Sequence, residues 1–293
     1  MRRTLFLVVF MALFGAAASA FAQPGARVAL VVGNGAYQAV PRLANPTRDA
    51  EDVAQALRGL GFRVQLLRDA TRASLEAALQ QFSRDATGAE VAAFFFAGHG
   101  IEVQGENLLI PVDARLTTLT DTDFQTVKVA SVLRAMQGAQ ARLLFLDACR
   151  DNPFAVTLRS VAGTRSVSRG LGRIETADLG TLVAFATAPG TVAADGTGRN
   201  SPFSAALVRH LGEPGLDVRQ VMTRVRRSVV QATGGQQVPW DNSSLVADVV
   251  LRPAGAGAPA PAPAASTAVQ AAAPAAVPGG AGQWGPTRAV ADR

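Results

Sequence analysis

Short runs of consecutive apolar residues recur along the chain and predict buried β-strands. Each run is rich in Val, Leu, Ala or Phe and is bounded by Gly or charged residues, which is typical of strands covered on both faces. The predicted strands are Arg27–Gly33, Phe62–Leu67, Val91–Ala97, Arg142–Leu146 and Thr181–Ala186.

Between these runs, apolar residues recur at helical spacing. Val53, Leu57 and Leu60 form one face of the first predicted helix. Asn45 is its predicted N-cap, and Pro46 follows at the first helical position. Further helices are predicted after the cap residue Thr71 and over Val129–Met136, Pro202–Leu211 and Val218–Val230.

The alternation of strands and helices predicts an α/β fold, with a mostly parallel central sheet and helices on both faces. Two shorter apolar runs, Ile101–Val103 and Leu108–Val112, predict a small hairpin at an edge of the sheet. Ligands of such sheets bind beyond the carboxyl ends of the strands. The residues that follow these strand ends are therefore the first candidates for chemistry.

The two ends of the chain have a different composition from its middle. Residues 1–22 have the layout of a secretory signal peptide, with Arg2 and Arg3, an apolar stretch and a small-residue exit near Ala22. The apolar stretch is shorter than the roughly 20 residues of a spanning helix, although an uncleaved anchor is the alternative. We expect a periplasmic or secreted protein with no stable membrane span after cleavage.

Residues 253–293 are dominated by Ala, Pro and Gly and predict a disordered tail or spacer. The folded domain is therefore expected over residues 23–252. The formal charge of the whole chain is +6; Arg2 and Arg3 carry two of these charges and the tail one, which leaves +3 for the domain. Such a mild charge, with 6% aromatic residues, excludes a nucleic-acid-binding surface.

Chemically active side chains follow two of the predicted strands. Gly98-His99-Gly100 ends the third strand, and Asp147-Ala148-Cys149-Arg150 ends the fourth. Cys149 is the only cysteine of the chain, and the second of the two histidines, His210, lies late in a helical pattern and is expected at the surface. A lone thiol in an exported protein has no partner for an internal disulfide.

A thiol and an imidazole at the same sheet edge have the chemistry of nucleophilic catalysis. The imidazole accepts the thiol proton and later protonates the leaving amine, while glycines let backbone N–H groups approach an oxyanion. The alternative for Cys149 is a buried small apolar residue. One cysteine and one histidine are too few ligands for zinc, and Gly33-Asn34-Gly35 lacks the further residues of a phosphate-binding loop.

These two motifs together resemble the caspase-type cysteine peptidases. Cys149 follows His99 by 50 residues, the separation typical of caspases. Asp147 and Asp151 stand where the animal enzymes have Gln and Gly, and these departures, with the stretch LANPTRDAEDVAQALRGLGF, resemble the bacterial metacaspase-like branch. The resemblance implies a caspase-haemoglobinase-like three-layer sandwich with a small edge hairpin, and a cysteine-type endopeptidase activity on proteins or peptides.

The resemblance also implies roles for individual residues. Cys149 would be the nucleophile and His99 the general base, and the backbone N–H groups of Gly100 and Cys149 would form the oxyanion hole. Enzymes of the metacaspase-like branch cleave after Arg or Lys, and Asp49 and Asp147 match the acidic positions of the pocket that binds this basic side chain. Both acids keep alternatives: Asp49 as a first-turn acid that favours the helix dipole, and Asp147 as a cap or loop acceptor.

The resemblance divides the domain into a larger part over residues 27–155, a linker over 156–178 and a smaller part over 179–252. The Arg-rich loop Thr157–Arg173 is a natural place for self-cleavage by an enzyme that prefers Arg, and equally it could be a flexible linker that is not processed. The candidate sites are Arg159, Arg165, Arg169 and Arg173. No cofactor or metal is expected, and no cluster of acids calls for calcium. The alternatives are a catalytically silent caspase-like module that binds partners and a phosphate- or nucleotide-binding flavodoxin-like protein.

Overall fold

Continuous apolar runs form the centre of the fold, a six-stranded sheet in the computed structural model of the protein. The structure describes residues 25–148, 153–162, 167–168, 170–174, 178–188, 191, 193, 195–196 and 198–255. The signal-peptide prediction and almost all of the predicted tail lie outside these residues.

The main sheet has the strand order β2-β1-β3-β7-β8-β9. The first five strands are parallel to their neighbours, and β9 alone is antiparallel, so the expected parallel sheet is confirmed. The strands are β1 (Arg27–Gly33), β2 (Arg63–Arg68), β3 (Val91–Ala97), β7 (Ala141–Asp147), β8 (Thr181–Phe185) and β9 (Trp240–Ser243).

Three consecutive phenylalanines of β3, Phe94, Phe95 and Phe96, are completely buried. Their side chains alternate between the two faces of the sheet, so both faces must be covered. Burial of each ring stabilises the fold by about 1.5–3 kcal/mol. The centre of the sheet is therefore a rigid platform for the residues at its carboxyl edge.

The described part of the chain contains seven helices, and five of them, α1, α2, α4, α6 and α7, contribute buried side chains to the core around the main sheet. Helices α1, α6 and α7 pack together, and α2 packs against α4, as expected for a sandwich of three layers. The helices are α1 (Pro46–Gly59), α2 (Arg72–Ala86), α3 (Leu119–Gln125), α4 (Val129–Ala135), α5 (Pro153–Ala162), α6 (Pro202–His210) and α7 (Val218–Ala232).

Two predicted helix caps have different outcomes. The Thr71 hydroxyl accepts a hydrogen bond from the backbone N–H of Ser74 at 3.2 Å, which confirms the cap of α2. The predicted side-chain cap at Asn45 is wrong, because its Oδ1 accepts from the Arg48 guanidinium rather than from a backbone N–H, while its amide donates to the backbone oxygen of Asp195 at 2.5 Å. Asn45 still precedes α1, with Pro46 in the first turn, but its side chain holds a distant loop.

The predicted hairpin forms a separate small sheet. Strands β4 (Gly100–Val103) and β5 (Glu106–Leu109) pair antiparallel, and β6 (Val127–Lys128) completes a three-stranded sheet with the order β4-β5-β6. β4 begins immediately after His99, which lies just beyond the end of β3. The hairpin thus extends from the proposed active-site loop rather than from an edge of the main sheet.

Candidate active site

The ends of β3 and β7 are adjacent in the centre of the main sheet. Their parallel register pairs Ala97 with Asp147, and the backbone N–H of Gly98 donates to the Asp147 carbonyl at 3.2 Å. β3 therefore leads directly to His99, and β7 leads to Ala148. Cys149, the predicted nucleophile, is the next residue and lies outside the described residues.

The His99 imidazole is held between two aromatic rings. The Tyr37 ring lies 4.6 Å from it, centroid to centroid, and the Phe154 ring packs edge-on at 6.5 Å. Only 2% of His99 is exposed. Phe154 belongs to α5, which follows the Cys149 motif along the chain, so residues on both sides of this motif surround the histidine.

The backbone of His99 is fixed as firmly as its ring. Its N–H donates to the Tyr37 hydroxyl at 2.7 Å, and its carbonyl accepts from the N–H of Ile110 at 3.0 Å. The Tyr37 hydroxyl in turn donates to the Ile110 carbonyl at 3.2 Å. Tyr37 thus connects the loop after β1 with the histidine and with the end of the hairpin.

The two glycines beside His99 are required by close contacts. A Cβ at Gly98 would lie 2.7 Å from the Tyr37 hydroxyl, which is too short for any real contact. A Cβ at Gly100 would lie 2.9 Å from Leu171 and 3.0 Å from both the Cβ and the carbonyl oxygen of Ala148. The loop therefore approaches the residue before Cys149 closely because it lacks these side chains.

Asp49 and Asp147, the predicted acids of the substrate pocket, are brought together by one serine. The Ser201 N–H donates to Asp49 Oδ1 at 3.0 Å, and the Ser201 hydroxyl donates to Asp147 Oδ2 at 2.5 Å. The Ser204 hydroxyl adds a second bond to Asp147 Oδ2 at 2.9 Å. All four residues are completely buried.

The alternatives kept for the two acids also correspond to contacts in the structure. Asp49 lies in the first turn of α1, where a carboxylate is favoured by the helix dipole. Asp147 accepts from the hydroxyl of Ser201, which is the N-cap residue of α6. Each acid therefore stabilises a helix end, and this role is compatible with binding a basic side chain.

An ion pair outside the pocket connects α1 with the segment before Ser201. The Arg199 guanidinium donates to both carboxylate oxygens of Asp52 at 2.8 Å, and the Asn200 amide adds a bond at 3.0 Å. The hydrogen bond from Arg199 lowers the pKa of Asp52, and the same bond raises the pKa of Arg199. Arg48 also donates to the Arg199 carbonyl at 3.0 Å.

Two of the four candidate self-cleavage arginines are described. Arg159 lies in α5 and donates from Nε to the Val167 carbonyl at 2.9 Å. Arg173 is exposed, and its guanidinium lies 5.9 Å from the centroid of the Trp240 ring. Arg165 and Arg169 lie outside the described residues.

The segment around Arg173 is attached to the small sheet. The Asn107 side chain forms two hydrogen bonds with Gly172, accepting from its N–H at 2.6 Å and donating to its carbonyl at 3.2 Å. Leu171 is completely buried against Gly100, beside the histidine. Residues 171–172 of the predicted linker therefore pack beside the loop that carries His99.

The Gly33-Asn34-Gly35 turn is filled by the protein's own backbone. A Cβ at Gly33 would lie 2.2 Å from the Pro46 carbonyl oxygen, and one at Gly35 would lie 2.7 Å from that of Leu43. The Asn34 side chain accepts from the Ala70 N–H at 2.8 Å. These contacts explain the glycines without a phosphate, so the structure does not support the flavodoxin-like alternative.

The second histidine is not a surface residue. His210 contacts Glu213 through Nδ1 at 2.5 Å and Ser228 through Nε2 at 2.8 Å, and 13% of its side chain is exposed. The expectation of a surface position is wrong because α7 covers the end of α6. His210 joins the two helices and contributes nothing to the described part of the site.

Sequence patterns missed Tyr37 and Asn107, and they assigned no individual role to Ser201. Tyr37 is the single tyrosine of the chain and follows the glycine turn of β1, which was a usable signal. Within the described ranges, no group of three or more His, Cys, Asp or Glu residues could hold a metal ion. No helix in this part of the chain has both the length and the apolar character needed to cross a membrane.

Comparisons with known proteins agree with this architecture. The chain is similar to caspase-1 from Spodoptera frugiperda, with a TM-score of 0.54, over 80% of this chain and 92% of that one. The sequence identity is 17%, so this likeness shows the fold alone. The fold predicted from the resemblance is thereby confirmed.

Sequence relatives give a more local match. The chain is 31% identical over 126 residues to the human mucosa-associated lymphoid tissue lymphoma translocation protein 1, and equally to its Mus musculus homolog. The match covers 42% of this chain and 15% of each relative. Residues 26–250 match the family model Peptidase_C14, the caspase domain, and the chain therefore belongs to the caspase-domain family of cysteine peptidases.

Proposed function

We propose that the protein is an exported cysteine endopeptidase that cleaves after Arg or Lys, with Cys149 as nucleophile and His99 as general base. The register of β3 and β7 carries the proposal. Because Ala97 pairs with Asp147, His99 and Cys149 each follow the last pair of two adjacent parallel strands by two residues. Membership of the caspase-domain family supports protein or peptide substrates.

In the proposed reaction, His99 passes the proton of the thiol on to the leaving amine. His99 takes the proton of the Cys149 thiol, and the thiolate attacks the carbonyl carbon of the scissile bond. The N–H groups of Gly100 and Cys149 stabilise the oxyanion of the tetrahedral intermediate. His99 then protonates the leaving amine, and water hydrolyses the thioester to regenerate the thiol.

The pair of acids supports the preference for a basic side chain. Asp49 and Asp147 are buried and hydrogen-bonded to the same serine, so both carboxylates belong to one small region beside the β7 end. Two carboxylates can accept the fork of a guanidinium in a bidentate manner. Lys would bind the same acids as a point charge.

Peptide hydrolysis by the purified protein from residue 23 onwards tests this function. The substrates are fluorogenic peptides that end in Arg, Lys, Asp or citrulline, which has the shape of Arg without its charge. We expect cleavage after Arg and Lys, none after Asp, and none by Cys149→Ala. His99→Ala should lower kcat by roughly 10²–10⁴-fold.

His210→Ala is the matched control, because this residue joins α6 to α7 and is the only other histidine. We expect it to leave kcat within a few-fold of the wild type. Failure to cleave any peptide would contradict the peptidase proposal and favour the silent module. Cleavage after Asp would contradict the assignment of the acids alone.

Calcium and export are tested separately. We expect equal rates in calcium and in a chelator, since no cofactor is proposed. Expression of the full chain in a bacterium should give a periplasmic product whose measured mass is that of a chain beginning at residue 23. A product that retains residues 1–22 in the membrane fraction would favour the uncleaved anchor.

A further inference from the structure

Ser201 uses both its backbone and its side chain to contact the acidic pair. Its N–H donates to Asp49 at 3.0 Å and its hydroxyl donates to Asp147 at 2.5 Å. The hydroxyl oxygen also accepts from the Ser204 N–H at 3.0 Å, which caps α6. A hydroxyl has one proton to donate, and here that proton points to Asp147.

The position of Ser201 is set by the same helix that carries Asp49. Asp52 lies three residues after Asp49 in α1 and binds Arg199 and Asn200, the two residues before Ser201. Arg48 holds the Arg199 carbonyl from the same helix. Both donors of Ser201 are therefore fixed relative to Asp49 before any substrate binds.

Donated hydrogen bonds hold the two buried carboxylates in place, because they satisfy the carboxylate oxygens and restrict side-chain rotation. Ser201 supplies one such bond to each acid, and the Ser204 hydroxyl supplies a second to Asp147. The carboxylates of Asp49 and Asp147 are thus held in fixed positions, in which they could bind a cation.

We propose that Ser201 is a positioning residue that aligns Asp49 and Asp147 for the guanidinium of an Arg substrate. The inference rests on the proposed function, because it assigns these acids to the pocket for the basic side chain. Arg needs two aligned acceptors and Lys needs only a nearby charge. Loss of the alignment should therefore affect Arg substrates more than Lys substrates.

A cap residue also stabilises its helix, so the test must separate positioning from stability. Thr71→Ala is the matched control, since Thr71 caps α2 by the same bond to an N–H three residues on. Ser201→Ala removes the hydroxyl, and Ser201→Thr restores one. Ser204→Ala removes one bond to Asp147 and keeps the cap of α6.

The first measurement is the Kd of an Arg-terminated and a Lys-terminated peptide for each variant in a Cys149→Ala background, by titration calorimetry. Ser201→Ala should raise the Kd of the Arg peptide by about 10–100-fold and that of the Lys peptide less. Ser204→Ala should raise the Arg value by about 3–10-fold. Ser201→Thr should return it to within a few-fold of the parent.

The second measurement is kcat and KM in the active protein. Ser201→Ala should raise KM for Arg peptides by about the same factor as their Kd, and KM for Lys peptides less. Equal losses in Ser201→Ala and Thr71→Ala would overturn the inference, as would equal losses for Arg and Lys. Should Ser201→Ala not fold, as judged by circular dichroism, Ser204→Ala and Ser201→Thr decide the question.

Failure of the proposed function is recognised from the wild-type enzyme alone. A wild type that binds and cleaves citrulline peptides as well as Arg peptides would have no basic pocket, and both proposals would fall. A wild type with a clear Arg preference that Ser201→Ala and Ser204→Ala leave unchanged would overturn only the role of Ser201.

Discussion

The Tyr37 hydroxyl accepts a hydrogen bond from the backbone N–H of His99 at 2.7 Å, across 62 positions of the chain. The same hydroxyl donates to Ile110, and the tyrosine ring packs against the imidazole. Tyr37, in the loop after β1, therefore fixes both the position of the histidine backbone and the tilt of the His99 ring. Such support would suit the general base that we propose, because proton transfer depends on the distance between the base and the thiol.

Tyr37→Phe should keep the ring and lose this support. The buried N–H of His99 would have no acceptor, and we expect the free energy of unfolding to fall by about 1–3 kcal/mol. kcat should fall while KM for Arg peptides stays within a few-fold, because the acidic pair is untouched. Urea unfolding and steady-state kinetics measure the two effects.

Thr126→Val is the control for the loss of a buried hydroxyl. Thr126 follows α3 directly and donates to the Thr122 carbonyl at 2.6 Å. We expect a comparable loss of stability with unchanged kcat. Equal kcat values for the two variants would show that Tyr37 supports the fold and not the reaction.

Removal of either carboxylate of the proposed pocket should weaken the proposed preference for basic residues. Asp147→Asn or Asp49→Asn should lower kcat/KM for Arg peptides by roughly 30–5,000-fold, since the loss of one partner of a buried charge pair costs about 2–5 kcal/mol. Rates on citrulline peptides should change little. Glu51→Gln, two positions further along α1, is the matched control and should cost less than tenfold, because Glu51 pairs with Arg68 at 2.6 Å.

Residues at the strand ends could be predicted from the sequence because the strands themselves are local patterns. Val91–Ala97 is an unbroken apolar run, and its end places His99 at the sheet edge without any knowledge of the rest. β9 was missed because its sequence, WDNS, has no apolar pattern and pairs with β8 only through tertiary contacts. A strand of this kind has no local sequence pattern from which it could be predicted.

Side-chain partners far apart in the chain could not be predicted. Ser201 lies 152 positions from Asp49, and only the packing of α6 against α1 brings them together. Asn45 has the residue type of a cap, yet its Oδ1 accepts from the Arg48 guanidinium, and its amide donates to Asp195, 150 positions away. Spacing rules describe residues that are neighbours on one helix or strand. The hydrogen bonds around this site instead join residues of different helices, strands and loops.

Acid titration should reveal the ion pair that fixes the segment before Ser201. The hydrogen bond from Arg199 lowers the pKa of Asp52 from its usual value of 3.8. A carboxyl with a lowered pKa stabilises the fold above its unfolded pKa, and this contribution is lost as the pH falls through the folded pKa. The stability difference between wild type and Asp52→Asn should therefore be constant above about pH 5 and shrink below 3.8.

The size of this difference should stay below about 1 kcal/mol, because the Arg199 side chain is mostly exposed. Urea unfolding at several pH values measures it, and NMR titration of Asp52 gives the pKa directly. In Arg199→Ala the Asp52 pKa should return towards 3.8. An unchanged pKa in this variant would show that Arg199 is not its cause.

Cleavage within the predicted linker should be limited by the attachment of Gly172 to Asn107. A protease binds an extended chain, whereas Arg159 lies in α5 and Arg173 follows a glycine held by two hydrogen bonds. We expect cleavage after Arg159 to be slow in the folded protein. Asn107→Ala should accelerate cleavage after Arg173 by roughly tenfold or more.

A Cys149→Ala protein treated with traces of trypsin tests this, since fragment masses distinguish the four arginines. Gln81→Ala, an exposed amide that bonds only within α2, is the control and should leave the pattern unchanged. Because Leu171 packs against Gly100, release of this segment should lower the kcat of the active protein rather than raise it. Faster cleavage accompanied by a higher kcat would instead identify the segment as an inhibitory strap.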